Sequence, residues 1–421
     1  MPSGFSRPRF EVADIVRAHE AELRLRRVVT HREAKVLRHI GQCRTLSLGG
    51  HRDVCDGCGY EKLSYNSCRD RHCPKCQGTE RAKWLDRRLE HVLPIPYFHV
   101  VFTLPPAVHA LVFANKELLY AALFEASAGS LQQLARDEQR LGAELGFTSV
   151  LHTWGQKLTF HPHVHCVVTG GGLRKDGTRW VAAREQYLLP VKPMSRLFRG
   201  KFVALLQGLR RAGELHLPGK LEALRDDATW AAFRAKLYAT EWVVYCKPPF
   251  GGPEQVFAYL GRYTHRVAIS NHRIRAFADG RVTFAYRDYA DGNRKKELAL
   301  SGVEFLRRFL LHVLPRGFVR LRHYGLHASS NVGTKLVEAR RLLGDAPAPA
   351  TEEASADVSA PATAVRPERA RAVVPAKESW WETILRHTGV DVRACPHCKT
   401  GRLVRHPLWG SAEPARGPPA A

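Results

Sequence analysis

Two runs in this chain carry reactive side chains at spacings a fold can use. The first is Phe160-His161-Pro162-His163-Val164-His165-Cys166-Val167-Val168. On a β-strand, residues i and i+2 share a face, so His163 and His165 project together while Val164 packs into the core. Two imidazoles held this way make half of a divalent-metal site with coordination positions left open, as catalysis needs. His161 shares that face if the strand extends so far, although Pro162 favours placing it at the strand entrance. The second run, from Pro253 to Arg266, sets Tyr259 and Tyr263 four apart on one face of a helix. Tyrosines at that spacing often form an aromatic core stripe, but these are embedded in Gln, Arg, Thr and His. A phenol beside a metal and arginines suits attack on a phosphodiester. The metal polarises the phosphate, arginine balances charge, and tyrosine is the nucleophile.

The ten cysteines are clustered, six of them between Cys43 and Cys76. Without an export signal at the N-terminus, clustered cysteines read as metal ligands before disulfides. Cys55-Asp-Gly-Cys58 and Cys73-Pro-Lys-Cys76 are two C-x-x-C pairs separated by fourteen residues, the spacing of a structural zinc site. Four protein ligands close such a site, which makes its role structural. Cys43, His51, Cys68 and His72 remain over, enough in kind and number for a second zinc. A further pair, Cys395 and Cys398, has no matching pair nearby, with His387, His397 and His406 as candidates for a small knuckle.

The elements that must position these groups follow from hydrophobic period. Residues 79–93, 116–145, 195–212, 228–239, 253–263 and 301–313 have helical spacing. YFHVVFTL at 97–104 reads as a buried strand, and a β-rich stretch runs from Ser149 to Gly170-Gly171-Gly172, expected as a tight turn. EWVVYC, RVAIS, HRIRAF, RVTFAYRDY and FVRLRHY are further strand candidates. From 346 to 376 the composition changes, with sixteen of 31 residues Ala or Pro and none aromatic, which is a linker without a core of its own. No run of about eighteen apolar residues exists, so a membrane-spanning helix is excluded.

HPHVHCVVTGGG together with YLGRYTHRVAISNHR resembles the rolling-circle insertion-sequence transposases of the HUH superfamily, specifically the insertion-sequence-91 family. SYNSCRDRHCPKCQ is similar to that family's zinc-binding domain, and EFLRRFLLHVLPRGFVRLRHYG to its later part. The resemblance implies an α+β fold, with a ferredoxin-like antiparallel core sheet carrying His163-Val164-His165 on a central strand. It implies domains at 10–100 (zinc-binding) and 101–345 (catalytic), then a disordered linker at 346–376 and a zinc-knuckle-like tail at 377–421. The implied reaction cuts one DNA strand, leaving a free 3′-hydroxyl and a 5′-phosphate on Tyr259 or Tyr263, with Mg²⁺ or Mn²⁺ at the site and Zn²⁺ in the cysteine domain. The bond energy kept in the phosphotyrosine makes ATP unnecessary, in keeping with the absence of a GxxxxGK[ST] run. The third ligand is not named by the motif. Gln255, one turn before Tyr259, is the first candidate, followed by Gln156 and His161. Arg262, His265, Arg266 and Arg273 are the expected DNA contacts. Single-stranded DNA is the expected partner, with host replication factors beside it, and a cytoplasmic, nucleoid-associated location follows.

A metallohydrolase would extend the HxH with further ligands nearby, and here the run continues Cys-Val-Val-Thr. A tyrosine recombinase would need no metal, and a zinc-finger regulator would need neither HxH nor tyrosine pair. The charge distribution agrees with a DNA enzyme. The chain is +25 overall, with 17 Lys+Arg against 6 Asp+Glu in residues 256–341, and 19 against 12 in residues 1–100. The linker holds three arginines against four acids. A basic excess gathered on the reactive segments predicts steeply salt-dependent binding to a polyanion.

Overall fold

The computed structural model describes residues 8–249, 267–344 and 379–408. In chain order the elements are α1 (Val12–Arg26), α2 (His31–Gln42), β1 (Gly50–Cys55), β2 (Glu61–Tyr65), α3 (Gly78–Leu89), β3 (Tyr97–Thr103), α4 (His109–Ala114) and α5 (Lys116–Arg136). They continue with β4 (Ala143–Trp154), β5 (Phe160–Arg174), β6 (Trp180–Ala182), α6 (Val191–Arg211), α7 (Asp227–Ala239) and β7 (Val244–Lys247). The remainder are β8 (Ile274–Ala278), β9 (Arg281–Asp288), β10 (Arg294–Ser301), α8 (Gly302–Leu310), β11 (Leu321–Gly325), α9 (Lys335–Leu342), α10 (Trp380–Thr388) and β12 (Leu403–Pro407). The fold is α+β, and every strand pairing among the described residues is antiparallel. No described helix is long and apolar enough to cross a membrane.

The central sheet has strand order β11-β4-β5-β3-β7, with β6 paired to the end of β5. Its two faces differ because residues alternate. Val164, Cys166 and Val168 of β5 join Phe98, Val100 and Phe102 of β3 under α5 and α6. Tyr97, Val150 and Val167 point the other way, into a smaller core with Trp84, Leu326 and Leu336. α5 is buried nearly all round, and its Ser127 and Ser130 hydroxyls satisfy themselves by bonding back to the carbonyls of Phe124 and Ala126. The helix ends at Arg136 rather than running to 145. Gly142 adopts φ +65, and the Gln132 amide bonds both Leu145 N and Leu145 O, so the chain turns there and enters β4.

The three consecutive glycines make no turn. They lie within β5, where a Cβ on Gly170, Gly171 or Gly172 would meet the carbonyl oxygen of Pro96, Val181 or Glu144 at 2.5–2.6 Å. Close approach of neighbouring backbones, rather than a bend, is what demands glycine here.

A second sheet, β10-β9-β8, packs with α8 against α1 and α2. RVAIS is not a strand in its described part, 267–270, although Val267, Ala268 and Ile269 are buried in this second core. A third sheet has the order β12-β1-β2. The tail that sequence separation sets apart therefore folds back on the N-terminal domain as its edge strand, with α10 against α3 and Arg386 bonded to Asp86 at 2.8 Å. Chain distance carried no signal for this return. The expected linker lies outside the described residues.

Candidate active site and cysteine clusters

The register of the central sheet assembles a histidine face. β4 pairs with β5 so that His152 lies opposite His163 and Val150 opposite His165. Directly opposed residues share a face, so His152, His163 and His165 converge. Their ligand atoms all lie within 4.8 Å of one another. Ring centroids are 4.3 Å apart for His152 and His165, 4.8 Å for His163 and His165, and 5.3 Å for His152 and His163. Trp154 stacks on His152 at 4.4 Å and backs the cluster.

Hydrogen bonds orient these rings. His163 Nδ1 donates to the His161 carbonyl at 2.7 Å, which leaves Nε2 with its lone pair free to bind. His165 Nδ1 lies 2.8 Å from Nε2 of His99, a β3 residue on the same face. Burial lowers the pKa of His163 to about 3 and that of His99 to about 4, and pushes His165 well below its usual value. All three are neutral at physiological pH, the form a metal needs. Three convergent imidazole nitrogens fit a transition metal better than Mg²⁺, which prefers oxygen ligands.

His152 and His99 were missed from sequence because neither sits in a motif. The signal available was pairing register, which cannot be read before β4 and β5 are aligned. Of the other candidates, Gln156 turns away, its amide bonded to Tyr289 Oη at 3.2 Å and reached by Arg287 N at 3.4 Å. His161 adds no nitrogen to the cluster; its ring packs between those of His163, at 5.1 Å, and His109, at 5.8 Å, and its carbonyl accepts from His163. Arg273, expected on DNA, is half-buried and donates to the carbonyls of Ala285 at 2.8 Å and Gln156 at 2.5 Å. That occupies its guanidinium with holding the turn before β5 against β9. Tyr259, Tyr263, Gln255, Arg262, His265 and Arg266 lie outside the described residues.

The cysteines converge, but in different sets from those that spacing predicts. One cluster is Cys43, Cys68, Cys73 and Cys76, and the other is Cys55, Cys58, Cys395 and Cys398. Cys55 and Cys58 are thus not partners of Cys73 and Cys76. β1 and β2 form a hairpin whose connecting turn carries the Cys55 knuckle and meets the returning tail, so the nearest C-x-x-C in sequence is not the nearest in space. His51 and His72 lie outside both clusters. His72 is buried, with Nδ1 2.8 Å from Asp70 Oδ1, while Nε2 accepts from Leu314 N at 3.2 Å. It is a core residue joining the N-terminal domain to the segment after α8. His51 lies 4.0 Å from Asp53 on β1.

The N-terminal region, residues 15–104, matches the family model "Transposase zinc-binding domain", and residues 146–334 match "Putative transposase". The "Putative transposase y4qJ" of Sinorhizobium fredii is 44% identical over 410 residues, covering 97% of each chain. The chain belongs to the insertion-sequence-91 transposase family. Its relative from Pseudomonas savastanoi pv. phaseolicola, "Transposase for insertion sequence element IS801", is 28% identical over 73% of this transposase and 74% of that protein. Among solved structures, the metal-bound conjugative relaxase TrwC with OriT DNA covers 40% of the transposase and 70% of that chain, at 13% identity and a TM-score of 0.23. That likeness is too slight to carry an argument. The zinc-domain match ends at residue 104 and so includes all of the first cysteine cluster, but only half of the second.

Proposed function

We propose that this transposase nicks and rejoins single DNA strands through a 5′-phosphotyrosine, driving rolling-circle movement of an insertion sequence. The observation that carries the reading is the set of three convergent imidazoles of His152, His163 and His165 on paired strands, with His99 behind His165. His152 replaces Gln255 as the third metal ligand in this reading. Of Mg²⁺ and Mn²⁺, the three-nitrogen donor set favours Mn²⁺. When bound, the cation would supply Lewis-acid polarisation of the scissile phosphate.

Tyr259 or Tyr263 attacks the phosphorus, forming a Tyr–O–P bond as the P–O3′ bond breaks. The phenol loses its proton and the departing 3′ oxygen gains one. Rejoining reverses the step, so no ATP is consumed, and two tyrosines allow two covalent links to be held in turn. Arg262, His265 and Arg266, flanking Tyr263, are assigned to the DNA backbone, and Arg273 is not. Cys43, Cys68, Cys73 and Cys76 hold a structural zinc. The setting is the bacterial nucleoid, with host replication factors supplying new strands.

The test is a covalent adduct assay on single-stranded oligonucleotides with Mn²⁺ or Mg²⁺. Tyr259→Phe combined with Tyr263→Phe is expected to abolish the adduct, as is a chelator. An adduct that survives the double substitution overturns the mechanism.

A further inference from the structure

The geometry points to a second zinc ion held jointly by the two ends of the chain, at Cys55, Cys58, Cys395 and Cys398. The sulfurs already stand where a tetrahedral ion would hold them. Cys55 Sγ is 3.7 Å from Cys398 Sγ, and Cys58 Sγ is 3.7 Å from Cys395 Sγ. A tetrahedron built on Zn–S bonds of about 2.3 Å has edges of about 3.8 Å. Both knuckles carry the backbone bond that steadies a thiolate, Gly57 N to Cys55 Sγ at 3.4 Å and Gly401 N to Cys398 Sγ at 3.3 Å. Gly401 is obligatory, since a Cβ there would sit 2.5 Å from the Cys55 sulfur. His397 approaches Cys58 at 3.8 Å, but its ring stacks on Tyr60 and stays outside the cluster.

The surroundings are built around the same junction. Asp56 N and Arg402 O bond at 3.0 Å, and Arg402 N returns to Asp56 Oδ1 at 2.7 Å. β12 continues from there along β1, and its Arg405 donates to the buried Asp53 carboxylate at 2.8 Å. Two knuckles more than 330 residues apart in sequence thus form one site, and the ion acts as a latch. It closes the chain into a loop and fixes residues 379–408 as the third strand and covering helix of the zinc domain. Each half alone offers two thiolates, too few for a closed zinc site, so the tail docks fully only when metal is bound.

Zinc counting on the full chain separates this pairing from its rivals. Cys395→Ser/Cys398→Ser is expected to lose one zinc relative to the wild type, Cys55→Ser/Cys58→Ser the same one, and the quadruple variant still only one. Losses that add in the quadruple variant, or full zinc retained by Cys395→Ser/Cys398→Ser, overturn the shared site. Because cysteine variants can misfold, a second measurement uses the wild-type cysteines with a protease recognition sequence inserted after Ala360. After cutting, the C-terminal fragment should co-elute with the body in zinc and separate in chelator. Co-elution that chelator leaves unchanged overturns the latch.

Discussion

His152 is the residue on which the metal site turns, and its replacement can be graded against its neighbours. An outer partner of a metal ligand contributes roughly 10–100-fold in metal affinity, about 1.4–2.7 kcal/mol. His99 holds that position, 2.8 Å from His165 Nδ1, so His99→Ala should raise the Mn²⁺ midpoint by about that factor. His152 is itself one of three nitrogens within 4.8 Å, so His152→Ala should exceed about 100-fold. His161 meets His163 through its carbonyl and a tilted ring contact at 5.1 Å but offers no nitrogen to the cluster, so His161→Ala should leave the midpoint in place. Gln255→Ala should do the same. The assay is Mn²⁺ titration of adduct formation on a single-stranded oligonucleotide, paired with calorimetric metal binding to the resting protein. Removing the His152 ring also loses its stack on Trp154, about 0.5–1.5 kcal/mol of stability, so melts without metal separate folding from binding. An unchanged midpoint in His152→Ala, with a shifted one in Gln255→Ala, would refute the assignment.

Two further outcomes are expected. His72→Ala should leave the zinc content unchanged yet destabilise the fold by about 1–3 kcal/mol, because Leu314 N and Asp70 lose a buried partner; loss of a zinc would restore His72 as a ligand. Acid should weaken the protein well above the carboxylate range. His312 and His327 are buried, with pKa values lowered to about 3 by burial, so the unfolded chain binds more protons between pH 6.5 and 3. Stability then falls as pH drops through that window, by up to about 3 kcal/mol per pH unit for the pair. Denaturant melts at pH 7.5 and 5.5 check this, and equal midpoints would contradict it.

What could be read from sequence was whatever lay within one element. His163 and His165 are two residues apart on one strand, and strand period alone puts them together. The buried strands β3 and β5, and the helices α6 and α7, follow from local hydrophobic period in the same way. What failed needed knowledge of partners. His152 becomes opposite to His163 only through the β4–β5 register, and the glycines of β5 look like a turn until Pro96, Val181 and Glu144 press on them. The cysteines make the point most sharply. Spacing identified C-x-x-C knuckles correctly as units, but which knuckles meet depends on β12 returning to β1, and nothing local encodes that.

The zinc domain is also less separate than a sequence boundary near residue 100 implies. Cys43 and Cys73 are buried in the same core as Val267, Ala268 and Ile269, which follow the tyrosine segment, and Trp154 packs against that core. Trp154 in turn stacks on His152. Arg71 donates to Phe318 O at 2.6 Å, and His72 accepts from Leu314 N, so polar contacts cross the same boundary. A finger on a flexible tether could lose its metal and leave the sheet intact. Here the first cluster's thiols, the strand end that carries His152 and the residues Val267, Ala268 and Ile269 share one packed interior, in which shape changes propagate rather than dissipate. The first cysteine cluster is therefore part of the scaffold of the histidine face as much as of the basic N-terminal surface.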